Sequence, residues 1–194
     1  MRLLNVGAGA KNLAIMPWYE GWDVVRLDIE PLAEPDLLMD ALDLDTLDAE
    51  QFDAIYASHL LEHIYPADLP RFLYGVQKVL VADGFAEFRV PNALAACEAA
   101  AKAGTIDAFC YASPGGNVTA WDMLYGYALY QIKYGAPMAH HDAYDSQRLL
   151  AALSYNGFGM TYVQTVRWEL RAIACKTDIS DEMKRRLGVN GTTN

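Results

Sequence analysis

The chain has 194 residues, 53% of them hydrophobic and 21% charged, which suits one globular domain and excludes a disordered protein. Its formal charge of −10 repels phosphate backbones, so no nucleic acid is expected as partner. Cys97, Cys110 and Cys175 stand apart with no Cys-x-x-Cys pair, which excludes a disulfide framework and a cysteine-zinc site and points to a cytoplasmic protein.

In chain order, Arg2 to Val6 predicts a buried parallel strand, and Gly7 to Ala10 a turn. Pro17 leaves room only for a short or irregular helix between Lys11 and Glu20. Val24–Leu27, Asp36–Met39 and Phe52–Ala57 predict three more strands. Leu69, Phe72, Leu73, Val76, Val79 and Leu80 form one helical stripe within 66–81, its regular part starting near Asp68 and Pro70 and its end set by Asp83-Gly84. Phe85–Val90 is a fifth strand, closed by Pro91. Ala93–Ala103 reads as a helix, Ser113–Asn117 as a loop, and 121–134 as an aromatic segment without a clear period. Asp145-Ser146 starts a helix that Asn156-Gly157 stops. Two strands follow, Met160–Thr165 and Leu170–Cys175, and then a marginal helix from Ser180 that frays into Gly-Thr-Thr-Asn. Within it, Lys184-Arg185-Arg186 is the one basic cluster and reads as a solvated helix end. No apolar run approaches the ~20 residues that span a bilayer, and no basic-then-apolar leader precedes the first strand, so no membrane association is expected.

Strands alternating with crossovers imply a doubly wound, mostly parallel sheet between helical layers. Gly7 and Gly9 let the first turn approach a ligand closely. Asp28, closing the next strand about twenty residues on, can accept hydrogen bonds from two ribose hydroxyls. A dinucleotide fingerprint needs a third glycine where Asn12 stands, and a long helix where Pro17 intervenes. A nucleoside cofactor without a pyrophosphate, S-adenosylmethionine, fits better.

The segment Phe52-Asp53-Ala54-Ile55-Tyr56-Ala57-Ser58-His59-Leu60-Leu61-Glu62-His63-Ile64 resembles the exit of strand four in class I S-adenosylmethionine-dependent methyltransferases of the type 11 group. The resemblance continues through Phe88-Arg89-Val90-Pro91-Asn92 and resumes at Leu149–Leu153 and Asn156-Gly157-Phe158. Residues 111–140 look like a subgroup of bacterial and phage methyltransferase-like proteins. It implies a Rossmann-like, seven-stranded α/β/α sheet whose last strand is antiparallel. The domain then spans 1–179, with 93–145 as a lid or acceptor insertion and 180–194 as a tail.

Carried over residue by residue, the cofactor-binding set is Asn5, Gly7, Ala8, Gly9, Asp28, Ile29, Asp40, Ala41, Ser58 and His59. Asn5 stands where the family usually has an acid, and Ala10 where a third glycine is frequent. The sulfonium methyl is already activated, so a base is needed only for an acceptor that must lose a proton. His59 and His140 are the catalytic candidates, whereas His63 reads as packing against Tyr65, and His140-His141-Asp142 can equally be a loop satisfying its own backbone. No metal is expected, because those residues lack a convincing third ligand. Tyr111, Tyr125, Tyr127 and Tyr130 suit a wall for a small-molecule or glycan-like acceptor, and equally a satellite core or a homodimer interface. Two other functions stay open. One is a non-catalytic S-adenosylmethionine-binding protein, motivated by Asn5, Ala10 and the lack of a helix before the first strand. The other is a nicotinamide-dependent dehydrogenase.

Overall fold

Alternation along the first strand sets the layers. In β1 (Arg2–Val6), Leu4 and Val6 point into one apolar core, while Leu3 points into another on the opposite face. The computed structural model describes residues 1–189 apart from 12 and 14. Asn12 of the glycine motif and the expected frayed end at 191–194 therefore lie outside the described residues.

Around β1 the chain builds a seven-stranded sheet in the order β3-β2-β1-β4-β5-β9-β8. Here β2 is Asp23–Asp28, β3 Leu37–Leu38, β4 Phe52–Ser58, β5 Leu80–Pro91, β8 Met160–Val166 and β9 Glu169–Cys175. The pairs β1–β2, β2–β3, β1–β4 and β4–β5 are parallel; β9 runs antiparallel to both β5 and β8. This is the α/β sheet implied by the resemblance, including its antiparallel final strand.

One face is covered by α1 (Leu69–Val79) and α5 (Ser146–Tyr155). The stripe Leu69, Phe72, Leu73, Val76 and Val79 is buried against β4 and β5, each side chain stabilising by roughly 1.5–3 kcal/mol. Gly75 lies on the same helix because a Cβ there would meet Leu44 Cβ at 2.7 Å and Asp45 N at 3.0 Å. Asp83-Gly84 does not end this helix. Leu80 is already paired with Phe52, so the strand begins directly after Val79 and carries Asp83-Gly84 within it, beside a register shift. The segment 11–20 forms only a short 3-10 turn, Pro17–Tyr19, as Pro17 requires.

The opposite face has thinner cover: Trp18, Tyr19 and Trp22 together with α6 (Asp181–Leu187). Leu187 and Val189 are buried against Tyr162 and Ile173, so this stretch is docked through α6, with Ser180 accepting from the Met183 amide at its start. Arg186 of the basic cluster donates to Trp18 O at 2.8 Å, while Lys184 pairs with Asp178 at 2.6 Å.

Between β5 and α5 the chain leaves the sheet. Asn92 caps α2 (Ala93–Ala103) by accepting from Ala95 N. The segment read as a loop at Ser113–Asn117 is mostly strand: β6 (Phe109–Ser113) and β7 (Gly116–Thr119) pair as a hairpin, leaving only Pro114-Gly115 as the turn. The aromatic segment resolves into α3 (Ala120–Tyr125) and α4 (Ala128–Tyr134). Thr119 and Asp122 close a capping box on α3, a signal present in the sequence. No described helix is long and apolar enough to cross a membrane.

Candidate functional site

The carboxyl ends of β1, β2, β3 and β4 meet along one rim. Beyond Val6 the chain turns through Gly7 (φ +67°) and Gly9 (φ +61°), in the left-handed region that favours glycine. The Gly7 and Ala8 amides both donate to Leu27 O, at 2.9 and 3.1 Å. Asp28 joins two loops: Oδ2 accepts from Gly9 N at 2.7 Å and Oδ1 from Glu30 N at 2.9 Å. Each oxygen keeps a lone pair for a further donor. Met39 N donates to Asp28 O at 3.1 Å, which places Asp40 and Ala41 beside the same rim. Asp40 accepts from Leu42 N at 2.9 Å and so caps the 3-10 helix Ala41–Thr46. Asn5 is buried on β1, Ile29 is exposed after β2, and Ser58 closes β4. A methyl on Gly7 would lie 3.2 Å from Leu60 Cδ1, so the glycine turn is packed against the exit of β4. The cofactor set expected from the sequence is thereby gathered on one edge.

His59 departs from its expected role. Its backbone is left-handed (φ +54°), a strained conformation for a non-glycine residue, and its amide donates to Arg89 O at 2.8 Å. The ring lies between two carboxylates, Nδ1 3.2 Å from Glu62 Oε1 and Nε2 3.2 Å from Glu169 Oε1. Arg89 pairs with the other oxygen of Glu169 at 2.6 Å. Burial opposes the charge on His59, but the two carboxylates outweigh it and push its pKa up to about 10. A ring protonated at neutral pH takes no further proton, so His59 is not a general base. It is the centre of an ion-pair chain.

His140 and His63 line, with His59 and Glu62, a cavity of about 220 Å³. The rings of His63 and His140 meet edge-on, 4.8 Å between centroids. His63 Nδ1 is 3.0 Å from Ala139 O, and His140 Nδ1 is 3.0 Å from Met123 O. A carbonyl only accepts, so each Nδ1 carries hydrogen, and in the neutral ring Nε2 presents the lone pair. Burial holds His140 below the usual histidine range against the pull of Glu62.

Glu62 completes the group. It is 1% exposed, and neither carboxylate oxygen has a hydrogen-bond partner among the described residues. Its approach to His59 is an ion-pair contact. Burial raises its pKa, yet the His59 charge prevails and keeps the carboxyl below its ordinary range. Contrary to the expectation of no metal site, ligand atoms of Glu62, His63 and His140 lie within 4.8 Å of one another. The ring stacked on Tyr65 is that of His141, at 3.8 Å, while Asp142 pairs with Arg148 at 2.6 Å.

The insertion forms the far wall. Tyr111, Val118, Met123, Tyr127 and Tyr130 line the cavity, and Val118 and Met123 also form with Cys110 a small core on which Tyr111 and Tyr127 pack. The aromatic segment therefore contributes to a satellite core that doubles as cavity lining. Sequence reasoning assigned no role to Glu62, Arg89 or Glu169. The His59-x-x-Glu62-His63 spacing was the available signal, since three- and four-residue steps return to one face of a helical turn.

Residues 4–88 match the family model described as "Methyltransferase domain", a span that holds the glycine turn, Asp28, Asp40 and the His59–His63 turn. That stretch is methyltransferase-like in sequence, and the sheet as a whole has the class I methyltransferase fold. A search of curated proteins finds no match. Among solved structures, a SAM-dependent methyltransferase from Archaeoglobus fulgidus is 15% identical with TM-score 0.56, over 89% of this chain and 85% of that one. The 1,6-didemethyltoxoflavin-N1-methyltransferase of Burkholderia thailandensis, solved with 1,6-didemethyltoxoflavin and S-adenosylhomocysteine, is 19% identical with TM-score 0.56, over 91% and 71%. A SAM-dependent methyltransferase from Methanosarcina mazei is 15% identical with TM-score 0.54, over 91% and 93%. At these identities the likeness is one of fold. The antiparallel β9 of the methyltransferase sheet leaves the dehydrogenase reading without support.

Proposed function

We propose that this methyltransferase alkylates a small planar or sugar-like acceptor that carries a hydroxyl or amine and sits between the His59–His63 turn and the 93–145 insertion. The observation that carries the reading is the continuity of the two halves of the cleft. Gly7 packs on Leu60, and His59 and Glu62 on the same turn line the cavity. Asn5 and Gly7 to Gly9 would border the amino-acid end of S-adenosylmethionine, Asp28 its ribose, and Ile29, Asp40 and Ala41 its adenine, with Ser58 and His59 nearest the sulfur. The insertion acts as the acceptor wall and supplies aromatic faces for a flat ring or a sugar. The Burkholderia enzyme, with its bound heteroaromatic substrate, supports an acceptor of this size in this fold.

Methyl transfer needs the acceptor atom, the methyl carbon and the sulfur held in line with water excluded. His140, which burial keeps neutral and which lines the cavity, replaces His59 as the imidazole that serves the acceptor. Calorimetry with S-adenosylhomocysteine, followed by its release during turnover on phenolic, heteroaromatic and sugar acceptors, tests the reading. Absence of cofactor binding removes the whole proposal; binding without turnover on any acceptor leaves the non-catalytic alternative.

A further inference from the structure

We propose that Glu62, His63 and His140 form a site for one divalent transition-metal ion at the base of the acceptor cavity. The inference deepens the methyltransferase reading and rests on it for the ion's use, though not for its binding.

Three independent observations converge. The donor atoms already lie within 4.8 Å of one another, against the roughly 3.3 Å ligand spacing that ~2.0–2.1 Å bonds imply, a gap small side-chain rotations close. Both histidines donate Nδ1–H to backbone carbonyls, Ala139 O and Met123 O, which fixes the tautomer with Nε2 free. That is the outer arrangement that holds metal-ligating histidines. Glu62 is a carboxylate fully withdrawn from water with no hydrogen bond to either oxygen among the described residues, and its one cationic contact, His59, is shared with Glu169, which leaves it coordinating capacity for an ion.

The surrounding charges allow it. His59 sits 3.2 Å from Glu62 Oε1 and opposes a cation, but it is held equally by Glu169 on its other nitrogen. It can stay with Glu169 while Glu62 turns to the ion. Two imidazoles and one carboxylate favour zinc, cobalt or iron(II) over magnesium or calcium, which prefer all-oxygen sites. Three protein ligands leave a position open to the cavity, the arrangement of a catalytic rather than a structural metal. There the ion would bind an acceptor hydroxyl oxygen. The O–H proton goes to solvent, an oxygen lone pair forms the new O–CH₃ bond, and the methyl–sulfur bond breaks to leave neutral S-adenosylhomocysteine.

The test is cobalt(II) titration of chelator-treated full-length protein, read by visible absorption and calorimetry, with S-adenosylhomocysteine titrated in parallel. One equivalent should bind with a nitrogen/oxygen spectrum. Affinity should fall about 100-fold or more in Glu62→Gln and His140→Ala, a ligand loss exceeding the 10–100-fold effect of outer-shell changes. It should hold within about twofold in His141→Ala and Cys97→Ser, which alter neighbouring groups outside the site. Wild-type protein also gives a readout free of folding effects: on adding zinc, the ring nitrogens of His63 and His140 should shift in NMR and those of His141 should not. No cobalt uptake, unchanged uptake in folded His140→Ala, or zinc shifts confined to other histidines overturns the site. Cofactor binding alongside such a failure leaves the methyltransferase reading standing, and metal binding without cofactor binding leaves only the site.

Discussion

Two carboxylates lie fully buried in this molecule, and their surroundings differ. Glu87, on β5 under the thin layer, has Arg171 Nε at 2.8 Å from Oε1, and Trp18 Nε1 and Tyr19 Oη each at 2.8 Å from Oε2. Burial and the Glu87 charge together raise the Tyr19 pKa well above its ordinary value, so the phenol stays a donor. Glu62, on the turn after β4, touches the His59 ring at 3.2 Å, but neither carboxylate oxygen accepts a hydrogen bond among the described residues. A fully partnered buried charge specifies packing, here fastening the Pro17–Tyr19 turn to the sheet. A buried carboxylate held by one ion contact and no hydrogen bond keeps room for another group to arrive.

The largest test breaks the satisfied member. Glu87→Ala leaves the Arg171 guanidinium buried and unpaired, so urea denaturation should show a loss of about 3–5 kcal/mol. Replacing both partners, Glu87→Leu with Arg171→Met, should recover most of it, because two apolar groups leave no charge behind. A loss below about 1 kcal/mol for Glu87→Ala would contradict the scaffold role. Asp28 is the intermediate case, a carboxylate half used by the Gly9 and Glu30 amides. Asp28→Ala should weaken S-adenosylhomocysteine binding by roughly 1–3 kcal/mol in calorimetry, since ribose hydroxyls and two amides lose their acceptor. An unchanged dissociation constant would show that the ribose lies elsewhere.

The same contrast explains what was legible in the sequence. The glycine turn, Asp28 and the α1 stripe are local: backbone freedom, strand ends and helical period are all written within a few residues. The mostly parallel sheet with its antiparallel last strand followed from that alternation and the family resemblance. The Glu62 group was not local. His140 reaches it from across the insertion, 77 positions after His63, and Glu169 reaches His59 from the β8–β9 hairpin, 110 positions away. No spacing rule joins such residues. The ion-pair chain around His59 was half legible: Glu62 stands three residues on, whereas Glu169 comes from a distant strand. The Asp83-Gly84 stop failed because tertiary pairing of Leu80 with Phe52 overrode a local turn signal.

A smaller effect tests that ion-pair chain. The folded pKa of His59 is raised to about 10 from an ordinary value near 6.5, so its contribution is fully present below about pH 6.5 and is lost as pH rises through 10. Since 47% of the His59 side chain is exposed, solvent screening reduces the gain to about 1 kcal/mol. Urea midpoints at pH 6, 8 and 10 should therefore decline in the wild type and flatten in His59→Gln. Equal slopes in the two proteins would place the charge elsewhere.

The smallest expected change in stability belongs to Glu62→Gln. The substitution keeps the side-chain shape and gives up the His59–Glu62 ion contact while leaving His59 paired with Glu169, so folding free energy should fall by no more than about 1 kcal/mol. Cofactor affinity should also hold, since Glu62 stands apart from the Gly7–Asp28 rim, while turnover on an acceptor should fall. Set beside Glu87→Ala, this separates the two carboxylates by what each loss removes: the fold in one case, the chemistry in the other. A Glu62→Gln protein destabilised as severely as Glu87→Ala would show that its burial serves packing after all, and the distinction between partnered and unpartnered charge would lose its meaning here.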